Sequence, residues 1–250
     1  MRLGRRHAKR MDEVDTGPYG KANAEHLRKR VIEVRRQLVQ EGPPWIRDDA
    51  GDFERVTVPE RDCDAVRDLL LAERVEKVVE IGLAYGSSAL AIGEALASVG
   101  AEHPAHIIVD PLQATDWSNV GWQLVQSAGL DAIARLVQQP SSTALPRLIA
   151  EGFSADAAFV DGSHRFHEVF VDLYFLRKIV RPGGIIILDD HWWPSVRAAQ
   201  RYYETNMGWQ VLQGALDDVS IDESTGRPRI QALRLPDPSF EPSFDRFQPF

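Results

Sequence analysis

Two short acidic stretches carry the strongest chemical signal in this chain: Asp161-Gly162-Ser163-His164 and Asp189-Asp190-His191. Each follows an apolar run, at residues 157–160 and 185–188, that reads as a buried strand, so both are expected to surface at one edge of a single sheet. Three carboxylates brought together there are costly unless a cation or ordered water compensates them. Hard oxygen ligands suit Mg²⁺, which binds a few carboxylates and keeps several waters. Asp161, Asp189 and Asp190 are therefore the candidate metal ligands. The plainer alternative makes Asp190 and His191 capping and loop residues.

A second constellation lies upstream, in Glu80-Ile81-Gly82-Leu83-Ala84-Tyr85-Gly86-Ser87-Ser88. A strand ending near Gly82 and a helix beginning near Ser87 leave glycines at the turn, where backbone can approach a ligand closely, and free N–H groups at the helix start. A dinucleotide fingerprint would want glycine where this chain has Ala84 and Ser87, so that reading is weakened. Asp110 ends the next strand, 28 residues past Gly82. A carboxylate there can accept hydrogen bonds from both hydroxyls of a ribose. Loop and aspartate together point to a nucleoside-type ligand.

These residues must be carried by elements, and the pattern supplies them. From residue 77 apolar strands alternate with helices: strands at 78–82, 106–110, 135–138, 157–161 and 185–188, helices at 87–99, within 120–129, at 142–151, 167–180 and 195–206. Two closing strands, 209–213 and 230–235, have no clear helix between them. Such alternation means a mostly parallel sheet covered on both faces, here with an antiparallel end. Ahead of it, residues 23–40 place Leu27, Val31, Val34 and Leu38 at helical spacing, and Gly42-Pro43-Pro44 stops that helix. A turn-rich connector to Pro59 and a second helix at 60–73 follow. The division expected is a flexible basic head (1–22), a helical cap (23–75), the main α/β domain (76–235) and a Pro/Phe-rich arm (236–250).

Composition narrows the classes. The 250 residues include 29 Lys and Arg against 37 Asp and Glu, a formal charge of −8, with one cysteine. The lone Cys63 excludes a disulfide framework or a cysteine metal knuckle. No apolar run is long enough to span a bilayer, and no signal peptide is read, so a cytoplasmic protein with no membrane partner is expected. The first 50 residues hold 12 basic and 8 acidic side chains, the remaining 200 hold 17 and 29. An acidic body argues against nucleic acid as a partner, since binding it needs a basic face.

At this point the residues resemble a family. Glu80 to Ser88, Asp110, Asp161 and Pro182-Gly183-Gly184 look like the motifs of class I S-adenosylmethionine-dependent methyltransferases. The Asp161…Asp189-Asp190 spacing resembles the cation-dependent small-molecule O-methyltransferases, the catechol and caffeoyl-CoA enzymes and relatives that tailor natural-product sugars. The resemblance spans roughly residues 58–235 and is strongest from 77 to 205. It implies a Rossmann-like, doubly wound, seven-stranded sheet, mostly parallel with an antiparallel C-terminal strand, behind an N-terminal helical cap. It implies S-adenosyl-L-methionine and Mg²⁺ as cofactors. Gly82, Ala84 and Gly86 would pass beneath the methionine part, Glu80 and Ser88 would help hold it, and Asp110 would bind the ribose. Ser141, five residues before Pro146, sits where the family places a serine near the adenine. Asp161 counts as both cofactor and metal residue. His164 stands where the catechol-type enzymes carry a lysine base, and the sugar-tailoring relatives place a histidine where His191 stands. Asp190 replaces an asparagine of the catechol branch, which adds negative charge.

The chemistry suits these roles. The sulfonium already activates the methyl, so the protein must orient and deprotonate. A cation stabilises a developing alkoxide, and a histidine titrates near working pH. The expected function is methyl transfer to a hydroxyl of a small molecule, a sugar or phenol. The alternative is metal-independent N-methylation of an amino sugar or other amine, the carboxylates gripping a cationic substrate. A nucleic-acid methyltransferase using the basic head and a non-catalytic nucleotide-dependent module are further readings. Trp117, Trp122, Trp192 and Trp193 are available to stack on an acceptor or to fill core and contacts. The N-terminal helix is expected to cap the cleft or to serve assembly. A homodimer or higher homo-oligomer is expected because both terminal arms hold apolar residues that need cover.

Overall fold

The computed structural model describes residues 21–44 and 50–250. The expected basic head therefore falls almost wholly outside the described residues; only its last two residues, Lys21 and Ala22, are included, as the start of the first helix.

Seven strands form the main sheet: β1 (Lys77–Ile81), β2 (Ala105–Val109), β3 (Ala134–Val137), β4 (Ala155–Val160), β5 (Val180–Leu188), β6 (Gln210–Val211) and β9 (Gln231–Arg234). Their order is β3-β2-β1-β4-β5-β9-β6. The first five are parallel, and β9 runs antiparallel to both β5 and β6. The antiparallel strand expected at the end of the chain thus lies inside the sheet, with β6 outside it. A short hairpin of β7 (Ile221–Asp222) and β8 (Arg227–Pro228) fills the connection between β6 and β9.

Continuous apolar strands require cover on both faces, and two layers supply it. On one side α1 (Lys21–Glu41), α2 (Ala50–Val56), α3 (Glu60–Ala72), α4 (Ser87–Val99) and α5 (Val120–Ser127) enclose a core built on Val78, Leu90, Leu96, Ile108 and Phe159. On the other α6 (Ser141–Ala150), α7 (Phe166–Ile179) and α8 (Pro194–Met207) enclose Val79, Ile107, Val160, Leu173, Leu176 and Ile186. Alternate residues of β1 go to opposite cores, Val78 to the first and Val79 to the second, as the pleat demands. The stretch 181–184, expected as a turn, belongs to β5: a step of two residues on β4 is matched by a step of five on β5, so the Pro182-Gly183-Gly184 segment loops out of the ladder.

α1 lies along α4 rather than over the cleft described below. Arg35 on α1 anchors it, bonding Glu94 of α4 and, at 2.7 Å, Asp64 of α3. The connector expected as turns before Pro59 contains α2, whose Phe53 packs its ring edge against Tyr85. The C-terminal arm lies on the body: Asn206 exchanges two hydrogen bonds with the Gln248 backbone, Arg177 pairs with Glu241, and Phe250 meets Tyr202.

Candidate active site

In a parallel sheet the residue following each strand can extend the ladder by one further bond, and here four do so in a row. Asp110 N–H donates to Val137 O, Gly82 N–H to Val109 O, Asp161 N–H to Ile81 O and Asp189 N–H to Val160 O, at 2.8–3.1 Å. The first residue past β2, β1, β4 and β5 is thereby pinned in one line along the carboxyl edge. This is where open α/β sheets bind ligands. Gly82 shows how tight the line is: φ is +91°, and a Cβ there would lie 2.1 Å from the Asp161 carbonyl oxygen.

A cleft of ≈ 960 Å³ opens along this edge, lined among others by Gly82, Ala84, Asp110, Trp117, Ser141, Asp161, His164 and Trp193. Most of the expected ligand positions are therefore gathered in one cavity. Glu80, Gly86 and Ser88 do not line it. Glu80 is fully buried; Ser88 Oγ donates to its Oε1 at 2.6 Å, and His106 Nε2 lies 2.8 Å from its Oε2. Glu80 thus ties β1 to α4 and β2 from beneath the loop. The glycine loop takes its shape from Asp110. Asp110 Oδ2 accepts the backbone N–H groups of Leu83 and Ala84, both at 3.1 Å, and Gln113 Nε2 at 2.9 Å, while Oδ1 accepts Leu112 N–H at 2.8 Å. A carboxylate offers about four acceptor sites, so its capacity is largely taken by the protein. The expectation that it accepts both ribose hydroxyls meets a group already holding the loop. These bonds also hold Ala84 at φ +42°, unusual for a residue with a Cβ.

The acid cluster differs from the expected three-carboxylate set in a specific way. Arg229, just before β9, forks onto Asp189: Nε lies 2.9 and 3.1 Å from the two oxygens, and Nη2 lies 2.8 Å from Oδ2. Asp189 is fully engaged and 2 % exposed. Burial works to lower the Arg229 pKa, but the Asp189 carboxylate more than offsets it, so the guanidinium is held above its ordinary value. Asp190 Oδ2 lies 2.6 Å from His164 Nε2, and the His164 ring stacks on Trp193 at 5.5 Å. That bond to Asp190 raises the His164 pKa against the opposing effect of burial. Asp161 has neither partner; burial first, then the neighbouring Asp189 and Asp190, push its carboxyl well above the usual range. Asp161, His164 and Asp190 place one ligand atom each within 4.8 Å of one another. The set able to hold a cation thus exchanges Asp189 for His164.

His191 sits elsewhere. It is 6 % exposed, does not line the cleft, and its backbone N–H donates to Arg229 O at 2.7 Å. Burial, with Arg197 and Arg227 nearby, lowers its pKa to about 4. Of the tryptophans, Trp117 and Trp193 reach the cleft, Trp122 packs against the first core, and Trp192 lies under the Arg229 guanidinium at 5.2 Å.

Arg229 was missed by sequence reasoning, because an arginine in an unassigned connection carries no local signal. Its placement is built from afar. Asp62 at the start of α3 accepts the Ser220 N–H at 2.7 Å and its hydroxyl at 3.0 Å, and Ser220 O accepts the Arg229 N–H at 2.8 Å. Asp172 on α7 was also missed: it lines the cleft, is 2 % exposed, and burial pushes its carboxyl up to about 7.

Comparison with known proteins agrees with this geometry. Residues 79–191 match the model of a family described as a methyltransferase domain. No curated protein matches the chain. Among solved structures it is similar to an O-methyltransferase from Bacillus cereus in complex with SAH, with 16 % identity, a TM-score of 0.58, and coverage of 82 % of this chain and 90 % of that one. It is likewise similar to the O-methyltransferase TomG from Streptomyces achromogenes, involved in tomaymycin synthesis and complexed with SAM, at 16 % identity and a TM-score of 0.58, covering 85 % and 90 %. Residues 79–191 thus match a methyltransferase domain, and the strand order with its carboxyl-edge cleft is the fold that this chain shares with those O-methyltransferases.

Proposed function

We propose that the enzyme transfers a methyl group from S-adenosylmethionine to a hydroxyl of a small molecule, with His164 as the proton acceptor. The observation carrying this is the His164–Asp190 pair, 2.6 Å apart, with His164 and the neighbouring Asp161 lining the same cleft as Gly82 and Ala84. A cleft of ≈ 960 Å³ with a mostly apolar lining and a few polar groups, Asp161, Asp110 and Ser141 among them, suits an adenosyl ligand in size and chemistry. S-adenosylmethionine supplies an activated methyl on a sulfonium, which leaves positioning and deprotonation to the chain. Asp190 orients the His164 ring through Nε2 and stabilises its protonated form, the arrangement a general base requires. Trp193, half exposed and stacked on His164, offers a wall for a sugar or phenol.

A divalent cation fits Asp161, His164 and Asp190 by donor type, two carboxylates and an imidazole. There it would supply Lewis-acid stabilisation of a developing negative oxygen. The electrostatic case for it is smaller than three free acids would make, because Arg229 already compensates Asp189. The same pairing weakens the N-methylation alternative, since of Asp161, Asp189 and Asp190 only Asp161 is left without an arginine or histidine partner to grip a cationic amine. We also propose a homodimer, supported by the exposed Phe244 and Phe247 of the arm; a monomer in sedimentation velocity rejects it.

Incubation with labelled S-adenosylmethionine and a panel of phenols and glycosides tests the main reading. His164→Gln is expected to lower kcat by about 10²-fold or more while S-adenosylhomocysteine binding is retained. Exhaustive chelation separates the two roles of the cluster: unchanged turnover assigns His164 to the base role alone, and lost turnover restored by a divalent ion assigns it to a metal site. Methyl transfer to amines and not to hydroxyls overturns the proposal.

A further inference from the structure

Asp190 reaches His164 from an unusual backbone. Its φ is +51°, left-handed geometry that few residues besides glycine adopt, although aspartate tolerates it. Such backbone persists where surrounding contacts hold it, and the loop between β5 and α8 shows which contacts these are. Trp193 N–H donates to Asp190 O at 2.9 Å, closing residues 190–193 into one turn. His191 and Trp192 are the middle of that turn, and their carbonyls both accept from Nη1 of Arg197, the first at 3.1 Å. His191 N–H is tied separately, to Arg229 O.

Both ends of this turn touch the proposed base. Asp190 Oδ2 lies 2.6 Å from His164 Nε2. The Trp193 ring stacks on the His164 ring, 5.5 Å away and 11° from parallel. Ser195, in the first turn of α8, donates its hydroxyl to the His164 carbonyl. The direction of the Asp190 carboxylate and of the Trp193 ring is therefore set by the twist of one four-residue turn. Arg197 stitches the middle of that turn to α8 with charge-assisted bonds, which are stronger than neutral ones. Arg197 does not itself line the cleft.

Resting on the reading of His164 as proton acceptor, we propose that Arg197 is a positioning residue for the reaction: by tying the His191 and Trp192 carbonyls it holds the turn that aims the Asp190 carboxylate and the Trp193 ring at His164. With the tie removed, the turn can relax from the left-handed backbone at Asp190, and the carboxylate swings off the imidazole. The methyl donor, bound past Asp161 toward Asp110, lies on the other side of His164 and keeps its contacts. Arg197 thus governs the chemical step and not the affinity for the donor.

Kinetics on the best acceptor of the phenol and glycoside panel, calorimetric binding of S-adenosylhomocysteine, and a crystal structure of the variant test this. Arg197→Met keeps the stem and loses the donors; it is expected to lower kcat by about 10-fold or more, with acceptor KM and S-adenosylhomocysteine affinity within about threefold of wild type. Its crystals are expected to show Asp190 parted from His164. Arg197→Lys can still bond the carbonyls and is expected to restore kcat to within about threefold. Arg201→Ala, one turn further along α8, is expected to change nothing. Should Arg197→Met fail to fold, Arg197→Gln, with a single donor group for two carbonyls, takes its place with an expected fall in kcat of about fivefold. An unchanged kcat, an intact Asp190–His164 contact, or an equal fall in Arg201→Ala overturns the assignment. A raised acceptor KM with kcat unchanged also overturns it, by placing Arg197 in acceptor binding. All four outcomes leave the base reading intact. A kcat unaffected by His164→Gln, or a wild type that transfers methyl to no hydroxyl, overturns the base reading and this one together.

Discussion

Arg229 and Asp189 form the most consequential pair in the molecule, since each is buried and each is the other's counter-charge. Breaking such a pair strands a charge, which costs about 3–5 kcal/mol, whereas removing both partners costs far less. Arg229→Leu is therefore expected to lower stability by about that amount in urea unfolding, and Asp189→Asn in the same chain to restore much of it. Asp172 gives a second residue-level expectation, with a definite sign. Its folded pKa, about 7, is above the ordinary carboxyl value, so the folded chain binds more protons between pH 4 and 7. Stability must then fall as pH rises across that window, by about 4 kcal/mol at most from this group. Asp172→Asn is expected to remove that contribution and to raise the midpoint of thermal unfolding at pH 8.

At the scale of elements, the turn after β1 is set by contacts as well as by torsion. Gly82 and Gly100 both have positive φ, +91° and +67°, but a Cβ at Gly82 meets the Asp161 carbonyl at 2.1 Å while one at Gly100 meets nothing within 4 Å. Gly100→Ala is expected to cost about 1–2 kcal/mol for the left-handed backbone. Gly82→Ala is expected to cost at least about 2 kcal/mol more, through overpacking, and to misplace Asp161. Denaturant midpoints of the two variants make the comparison. Elements such as these were largely legible in the sequence, because the period of apolar residues marks strands and helices directly: α4 has the bounds expected of it, Ser87–Val99. The elements not legible lacked that signal. α2 is seven residues in a polar stretch, β7 and β8 are two residues each, and the looped-out segment of β5 carries Pro and Gly that read as a turn. The site was legible as a set of strand-end residues, since position after a strand is a local property. Its pairings were not. That Asp110 holds the glycine loop, that Glu80 turns to His106, and that Asp189 belongs to Arg229 are long-range facts made by the sheet order.

Across the whole molecule, the N-terminal helix is joined to the α/β body by charge as well as by apolar contact. Arg35, 12 % exposed at its side chain, bridges Glu94 and Asp64. Arg35→Ala leaves Glu94 with the more distant Arg67, 3.7 Å away, and is expected to cost about 1–3 kcal/mol. Hydrogen exchange should locate the loosening in α1 and α3, with the carboxyl edge of the sheet protected as before. The sheet order has a consequence for biosynthesis. β6 bonds to β9 alone among the strands, and β9 is made some twenty residues after it, with Arg229 just ahead. A nascent chain that has emerged only as far as β6 therefore carries a docked parallel half with Asp189 still bare of its counter-ion. Threading β9 between β5 and β6 closes the sheet and delivers the guanidinium in a single event, so the buried ion pair arrives with the final strand and cannot precede it.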